Sequence, residues 1–284
     1  MTIIVALCGT KQSGKNTLNN FLHGHEMKLH DIINHFDIKP DGKLEVNTVV
    51  FDEKGKEHLD YGILDLEQKN DMFFEYASRY IWPLIKSYSF ADNLKQVCMN
   101  LFDIPHDCLY GTDEQKNQLQ EHLLWENMPG VITCPELWDH MHPDGESEYS
   151  VTYHKPGPMT AREFMQYFGT DICRKIYQPI WVNGLLKQIE YDQPPIAVIT
   201  DCRFINEMKA MRKNNALLVR LLRSPYNSDH ASEKEVDDWK DYDCVIDNRE
   251  MSVQESCDSL LDFLIKQGVT RKIRLDTGRY VSIK

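Results

Sequence analysis

Residues 3–17 read IIVALCGTKQSGKNT, an apolar run that leads into a loop with a glycine at each end. The run Ile3–Cys8 is uninterrupted, which predicts a strand covered on both faces, as in a parallel sheet flanked by helices. After the loop, Leu18, Phe21 and Leu22 recur at helical spacing, so a helix is predicted to begin near Lys15. This order of strand, glycine loop and helix is the context that a phosphate-binding loop requires.

The loop Gly9–Lys15 matches the pattern G-x-x-x-x-G-K of phosphate-binding loops. Its glycines let the backbone curl so that several N–H groups face one anion, and the helix N-terminus adds a positive partial charge. Lys15 can then reach the β- and γ-phosphates of ATP. A glycine turn that binds nothing is the less favoured alternative, because the motif and both flanking elements agree. The predicted ATP-binding residues of this region are Gly9, Lys11, Ser13, Gly14, Lys15, Asn16 and Thr17.

Two positions are candidates for the magnesium side of the site. The motif expects Ser or Thr after the lysine, but Asn16 stands there, and an amide is a poorer Mg²⁺ ligand than a hydroxyl at this position. A hydroxyl, that of Thr17, follows one position later. Asp201 directly follows an apolar strand at residues 196–200, where P-loop folds place a carboxylate facing the Mg²⁺–phosphate region. An N-cap for the following helix is the open alternative for Asp201.

Asp92 is the corresponding carboxylate after a second predicted strand, residues 85–90. It could accept a hydrogen bond from a substrate hydroxyl or help activate a phosphoryl acceptor. A helix cap is the open alternative.

The remaining pattern predicts an α/β protein. Further strands are expected at residues 196–200, 217–222 and 244–246, with helices between them, which is the β-α-β rhythm of a parallel sheet. We therefore predict a three-layer α/β/α P-loop fold, a single domain over residues 1–284, with a mainly parallel central sheet. A β-hairpin insertion is expected at about residues 34–70 and a surface excursion at about 129–158. The capping-box pair Thr160 and Glu163 predicts the start of a further helix.

Charge and cysteine usage limit the class of protein. Lys and Arg number 32 and Asp and Glu 44, a net charge of −12, which argues against a protein that mainly neutralises nucleic-acid phosphates. The 8 cysteines are scattered singly, so they are expected to be reduced thiols. No leader or membrane segment is apparent in the pattern, and the expectation is a soluble cytoplasmic protein.

Four arginines occur at predicted helix starts or strand ends of this acidic chain. Arginine suits phosphates that must be held in one orientation, because its planar fork donates paired hydrogen bonds. Taken singly, each of the four is better explained as a surface salt-bridge residue. Together with the phosphate-binding loop they predict a site for two phosphorylated ligands; they are Arg162, Arg174, Arg203 and Arg223.

An ordered set of motifs resembles the bacteriophage deoxynucleoside monophosphate kinases. It comprises residues 9–17 (GTKQSGKNT), 89–95 (SFADNLK), 110–112 (YGT), 162–171 (REFMQYFGTD), 200–207 (TDCRFINE), 229–233 (DHASE) and 247–248 (DN). The resemblance implies an adenylate-kinase-like fold that transfers the γ-phosphoryl of ATP to a deoxynucleoside 5′-monophosphate, giving the diphosphate and ADP. It also implies that a residue other than Ser or Thr is tolerated after the P-loop lysine.

The resemblance also implies a helical lid and acceptor-binding region at about residues 160–190, and roles for individual residues. The catalytic candidates are Lys15, Arg203, Asp92 and Arg174. The candidates for binding the monophosphate are Asp92, Lys95, Arg162, Gln166, Asp171 and Arg174. Arg223 and Asn248 join the ATP-binding set, and Asp201 and Thr17 are the Mg²⁺ candidates.

Phosphoryl transfer requires a dry pocket, so the segment Arg162–Lys175 is expected to close once both nucleotides are bound. The expected partners are ATP and a deoxynucleoside monophosphate, without a nucleic-acid polymer or a membrane, and a homodimer is possible. A kinase for another small acceptor, such as a dephospho-coenzyme A-like alcohol, is the first alternative. An ATP-binding module without transfer activity is the second.

Overall fold

The computed structural model describes residues 2–51, 57–67, 71–133, 152–224 and 231–273. The chain divides into two compact units, residues 1–90 with 185–284 (the first unit) and residues 91–184 (the second unit). Within the described ranges the strands are β1 (Ile3–Cys8), β2 (His35–Ile38), β3 (Leu44–Phe51), β4 (Glu57–Leu64), β5 (Ile85–Tyr88), β6 (Leu119–Leu124), β7 (Val131–Thr133), β8 (Thr152–His154), β9 (Pro158–Thr160), β10 (Ile196–Cys202), β11 (Leu217–Leu221) and β12 (Cys244–Ile246). The helices are α1 (Lys15–Leu29), α2 (Asp71–Tyr80), α3 (Phe90–Phe102), α4 (His106–Tyr110), α5 (Asp113–Lys116), α6 (Ala161–Gln166), α7 (Ile180–Asp192), α8 (Ile205–Lys213), α9 (Ala231–Asp238) and α10 (Val253–Lys266).

A five-stranded parallel sheet forms the centre of the first unit. Its strand order is β12-β11-β1-β10-β5, and every neighbouring pair runs parallel. Strand β1 lies in the middle, so Cys8 and the loop after it emerge at the carboxyl edge between β10 and β11. This position at the edge of an open parallel sheet is where α/β proteins bind ligands. The predicted α/β fold with a central mainly parallel sheet is confirmed.

Helices cover both faces of this sheet. On one face Val5 and Leu7 join a buried cluster with the apolar sides of α1 and α10. Because side chains alternate along a strand, Ala6 and Leu218 point to the opposite face, where α8 packs against β11. Burial on both faces explains why the strands read as continuous apolar runs in the sequence.

The predicted hairpin insertion is a three-stranded antiparallel sheet, β2-β3-β4. It packs along α1, where Phe36 and Leu44 are buried in the same cluster as the sheet. Gly24 permits this close approach, because a Cβ at that position would lie 2.5 Å from Phe36 Cδ2 and 2.8 Å from Leu44 Cδ1. The insertion is therefore part of the core of the first unit.

The strand predicted over residues 85–90 is wrong at its end. Strand β5 ends at Tyr88, and α3 begins at Phe90, so Asp92 lies in the first turn of a helix and does not follow a strand. The physical reason is a cap from elsewhere in the chain, since Asp201 Oδ1 accepts a hydrogen bond of 2.9 Å from the Phe90 N–H. The sequence analysis also missed α2, α4 and α5.

The second unit is built around its own buried cluster, which includes Phe164 and Met159. Its described strands form two small pairs, β6 with β9 and β7 with β8. The capping box predicted at Thr160 and Glu163 is present at the start of α6, and wide π-helical turns continue that helix over Tyr167–Arg174. Part of the excursion predicted at residues 129–158, residues 134–151, lies outside the described residues.

Across the described part of the chain, no helix combines the length and apolarity needed to cross a membrane.

Gly24→Val tests the packing of the insertion on α1. The added side chain has to displace Phe36 or Leu44, and overpacking of this kind costs about 1–3 kcal/mol of unfolding free energy. Urea denaturation measures the loss. Gly62→Val in β4 is the matched control, because a Cβ there meets no atom within 4 Å. Equal stability of the two variants would contradict the close contact.

Candidate functional site

The loop after β1 takes the shape that its two glycines permit. Gly14 has a φ of +105°, a left-handed conformation that side chains disfavour, and it is the N-cap residue of α1. A Cβ on Gly9 would lie 2.4 Å from Ser13 Oγ, so the loop closes tightly upon itself. Because a glycine N-cap has no side chain to accept the first N–H groups of the helix, these donors are left for an anion.

Lys15 lies folded over this loop. Its Nζ donates hydrogen bonds to Thr10 O at 2.6 Å, Gly9 O at 2.9 Å and Ser13 Oγ at 3.3 Å. The residue is only 5% exposed. Burial, with the nearby Arg203 cation, lowers the pKa of Lys15 from 10.5 to about 7, while the Asp201 carboxylate opposes the shift. An anion placed here would stabilise the charged amine.

Asn248 and Arg223 brace the loop from the neighbouring strands. Asn248 Nδ2 donates to Ser13 O at 2.8 Å, and its Oδ1 accepts from the Arg223 N–H at 2.9 Å. Arg223 Nη2 donates to Gln12 O at 3.2 Å, and Thr10 Oγ1 donates to Arg223 O at 3.2 Å. The structure thus places Arg223 and Asn248 in contact with the loop.

Asp201 stands at the end of β10, close enough to Lys15 for its charge to affect the Lys15 pKa. Its Oδ2 accepts a hydrogen bond of 2.6 Å from Ser89 Oγ, and its Oδ1 caps α3 at Phe90. Asp201 therefore does cap a helix, but not the following one. That helix, α8, is capped by Glu207, whose Oε2 accepts from the Arg203 and Phe204 N–H groups.

The side-chain oxygens near the loop suit a hard cation such as Mg²⁺, which prefers oxygen ligands and retains several waters. Asp201 offers carboxylate oxygens, the kind of ligand that such a cation prefers. Asn16 offers an amide oxygen. Thr17 contacts the insertion, because a Cβ on Gly42 would lie 2.3 Å from Thr17 Oγ1. Among the described residues, no group of three His, Cys, Asp or Glu forms a dedicated metal cage.

Arg220, a charged residue within the apolar strand β11, was not among the predicted site residues. Arg220 pairs in register with Cys8, is 4% exposed, and bonds Asp237 Oδ1 through Nη2 at 2.6 Å. Its charge contributes to the lowered pKa of Lys15. A lone arginine among leucines and valines is the sequence signal that could have identified it.

The residues predicted to bind the monophosphate lie in the second unit. Lys95 Nζ stands 4.2 Å from the centroid of the Tyr110 ring, and the nearby Asp92 carboxylate and burial raise the Tyr110 pKa to about 12. Arg162 Nη2 pairs with Asp113 Oδ1 at 2.6 Å, which is the surface salt bridge weighed as its alternative. The rest of the predicted set is partly or fully exposed: Gln166, Asp171, which pairs with Lys175 at 3.5 Å, and Arg174. The structure brings Asp92, Lys95 and Tyr110 together.

The parallel sheet, the braced glycine loop and the buried lysine define a P-loop nucleotide-binding protein. The family model described as deoxynucleotide monophosphate kinase matches residues 134–256. A protein of Acanthamoeba polyphaga mimivirus, provisionally named deoxynucleotide monophosphate kinase, is 27% identical over 177 residues, 56% of this chain and 73% of the relative. The deoxynucleoside-5′-monophosphate kinase of Escherichia phage T5 is 31% identical over 123 residues, 38% of this chain and 49% of the relative. The chain is therefore similar to viral deoxynucleotide monophosphate kinases, at modest identity, which confirms the resemblance drawn from the motifs.

Asn248→Ala tests the brace of the loop. The substitution leaves the buried Ser13 carbonyl without its partner, so we expect a loss of about 1–3 kcal/mol in unfolding free energy and a roughly tenfold weaker affinity for an ATP analogue. Thermal denaturation and calorimetric titration measure the two effects. The control is Asn214→Ala, an exposed asparagine that bonds only within α8's last turn. Full affinity in the Asn248 variant would contradict the assigned brace.

Binding of an ATP analogue is expected to take up a proton at Lys15. The pKa of about 7 leaves the amine partly neutral near neutral pH, and triphosphate charge raises that pKa. Uptake should grow from roughly half a proton at pH 7 toward one at about pH 8. Calorimetry in buffers of different ionisation enthalpy measures it. Lys15→Arg, which stays charged throughout, should abolish the uptake, and the same uptake in this variant would exclude Lys15 as its source.

Proposed function

We propose that this chain is a deoxynucleoside monophosphate kinase, which transfers the γ-phosphoryl of ATP to a deoxynucleoside 5′-monophosphate and releases the diphosphate and ADP. The observation that carries the proposal is the hydrogen bonding of Lys15 to the carbonyls of the glycine loop. It occurs in a chain whose residues 134–256 match the kinase family model. The two facts are independent, because the family match begins well after the loop. The names of both viral relatives support the same activity.

The ATP half of the proposal assigns the triphosphate to the loop of the first unit. The N–H groups at the start of α1, together with Lys15, would bind the β- and γ-phosphates, and Arg203 would offset the charge that develops on the transferred group. Mg²⁺, when bound, supplies charge neutralisation between the phosphates, with Asp201 and Thr17 as proposed ligands. Lys11, Ser13, Asn16 and Arg223 complete the proposed ATP contacts.

The acceptor half of the proposal is assigned to residues of the second unit. Lys95, Arg162 and Arg174 provide cations for a monophosphate, and Arg162 would exchange its exposed partner Asp113 for the substrate. The exchange costs little, because an exposed ion pair contributes about 0–1 kcal/mol. Asp92, Gln166 and Asp171 offer groups for the sugar or base.

Phosphoryl transfer requires no covalent bond between the transferred group and these residues. The attacking atom is an oxygen of the acceptor phosphate, which is already anionic near neutral pH, so the transfer needs alignment and charge neutralisation more than a general base. We therefore propose that Asp92 orients the acceptor. Closure of the segment Arg162–Lys175 on binding both nucleotides, a homodimer and a location in the cytoplasm, of the host if the chain is viral, stay predictions.

A coupled assay of ADP release tests the proposal against its alternatives. We expect turnover that depends on a natural deoxynucleoside monophosphate, and a loss of about 100-fold or more in kcat for Lys15→Ala. Lys213→Ala, an exposed lysine at the end of α8, is the matched control and should keep full activity. Turnover only with a dephospho-coenzyme A-like alcohol would favour the first alternative, and slow ATP hydrolysis indifferent to every acceptor the second.

A further inference from the structure

The insertion β2-β3-β4 reaches the first turn of α1, which carries the end of the phosphate-binding motif. Asn20 Nδ2 donates a hydrogen bond of 2.9 Å to Gly42 O, in the turn between β2 and β3. Gly42 has a φ of +84° and lies against Thr17, where any side chain would collide with the threonine hydroxyl. The insertion is therefore fitted to the helix turn that follows Lys15.

A second segment of the insertion, the end of β4 and residues 65–67 after it, brings a carboxylate to the motif itself. Leu64 and Leu66 pack against the core cluster, and Asp65 Oδ1 accepts a hydrogen bond of 2.9 Å from the Glu67 N–H. These contacts fix the backbone at Glu67. Its Oε1 then accepts a hydrogen bond of 2.7 Å from Asn16 Nδ2, across 51 positions of sequence.

The chemistry of this bond determines how the Asn16 amide is oriented. An ionised carboxylate can only accept, so the amide must present its nitrogen to Glu67 and its oxygen elsewhere. An isolated amide could turn either end toward a cation, and one orientation would repel it. When the nitrogen of an amide donates to a carboxylate, the oxygen of the same amide also carries more negative charge, because hydrogen bonds in a chain polarise one another.

We propose that Glu67 is a positioning residue for the magnesium side of the ATP site, because it holds the Asn16 amide with its oxygen available as a ligand in place of the motif's usual hydroxyl. The proposal rests on the ATP half of the proposed function. Asn16 is an exposed residue, as a ligand that has to meet a metal–nucleotide complex must be. Amide oxygens are accepted ligands of hard cations, and partners that orient a ligand typically change metal affinity 10–100-fold.

The measured quantity is the magnesium gain, the ratio of the Kd of a non-hydrolysable ATP analogue without Mg²⁺ to its Kd with Mg²⁺, from calorimetry on the full chain. Glu67→Ala should lower this gain about tenfold while leaving the Kd without Mg²⁺ nearly unchanged. In the Asn16→Thr background a hydroxyl replaces the amide, so Glu67→Ala should have little further effect. This double-mutant cycle separates positioning of Asn16 from any other role of Glu67.

Glu75→Ala is the matched control, because Glu75 is an exposed carboxylate of the same unit that pairs with Arg79 on α2. It should keep the full magnesium gain. An unchanged magnesium gain in Glu67→Ala would overturn the inference and leave the proposed function intact. The same holds if Glu67→Ala lowers the gain equally in the unaltered chain and in the Asn16→Thr background. Absence of analogue binding by the unaltered chain would overturn the ATP half of the proposed function, and this inference with it.

Discussion

The side chain of Asn248 ties the glycine loop to the strand beside it, and the geometry of the proposed ATP site depends on that tie. A loop with glycines at positions 9 and 14 has many accessible conformations in an unfolded chain, so its anion-binding shape has to be fixed by contacts from outside. Asn248 supplies a donor to Ser13 O and an acceptor for the Arg223 N–H, while Thr10 bonds the Arg223 carbonyl. Since these partners lie at the ends of the sheet strands, the rigid sheet determines the shape of the loop.

The electrostatics of the site run against those of the chain as a whole. The protein carries a net charge of −12, yet the cations of Lys15, Arg203 and Arg220 lie near one another at the edge of its sheet. Their mutual repulsion and the burial of the amine lower the pKa of Lys15, so the site is least stable electrostatically when no anion balances it. A triphosphate would relieve that cost, because its negative charge would stabilise the protonated amine.

The features that the sequence predicted well are local ones. Strand β1, the loop and α1 follow from apolar periodicity and two glycines within residues 3–29, and the start of α6 follows from the Thr160–Glu163 capping box. The errors arise where distant residues decide the outcome. Strand β5 stops at Tyr88 because Asp201 caps the next helix from more than 100 positions away, and no local pattern reports that bond. The contacts of Asn248 with the loop were accessible only through family resemblance, for the same reason.

Asn16 illustrates how such a distant contact can alter the meaning of a motif. Considered alone, an amide after the P-loop lysine weakens the argument for a metal site, because its two ends have opposite polarity and nothing local selects between them. The carboxylate of Glu67 removes that ambiguity through a single bond of 2.7 Å. The insertion that carries Glu67 is packed into the core through Phe36 and Leu44, so the position of the carboxylate is fixed by the same cluster that supports the sheet. A departure from the motif at one residue is thus paired with an added segment elsewhere in the chain, and the two features need to be analysed together.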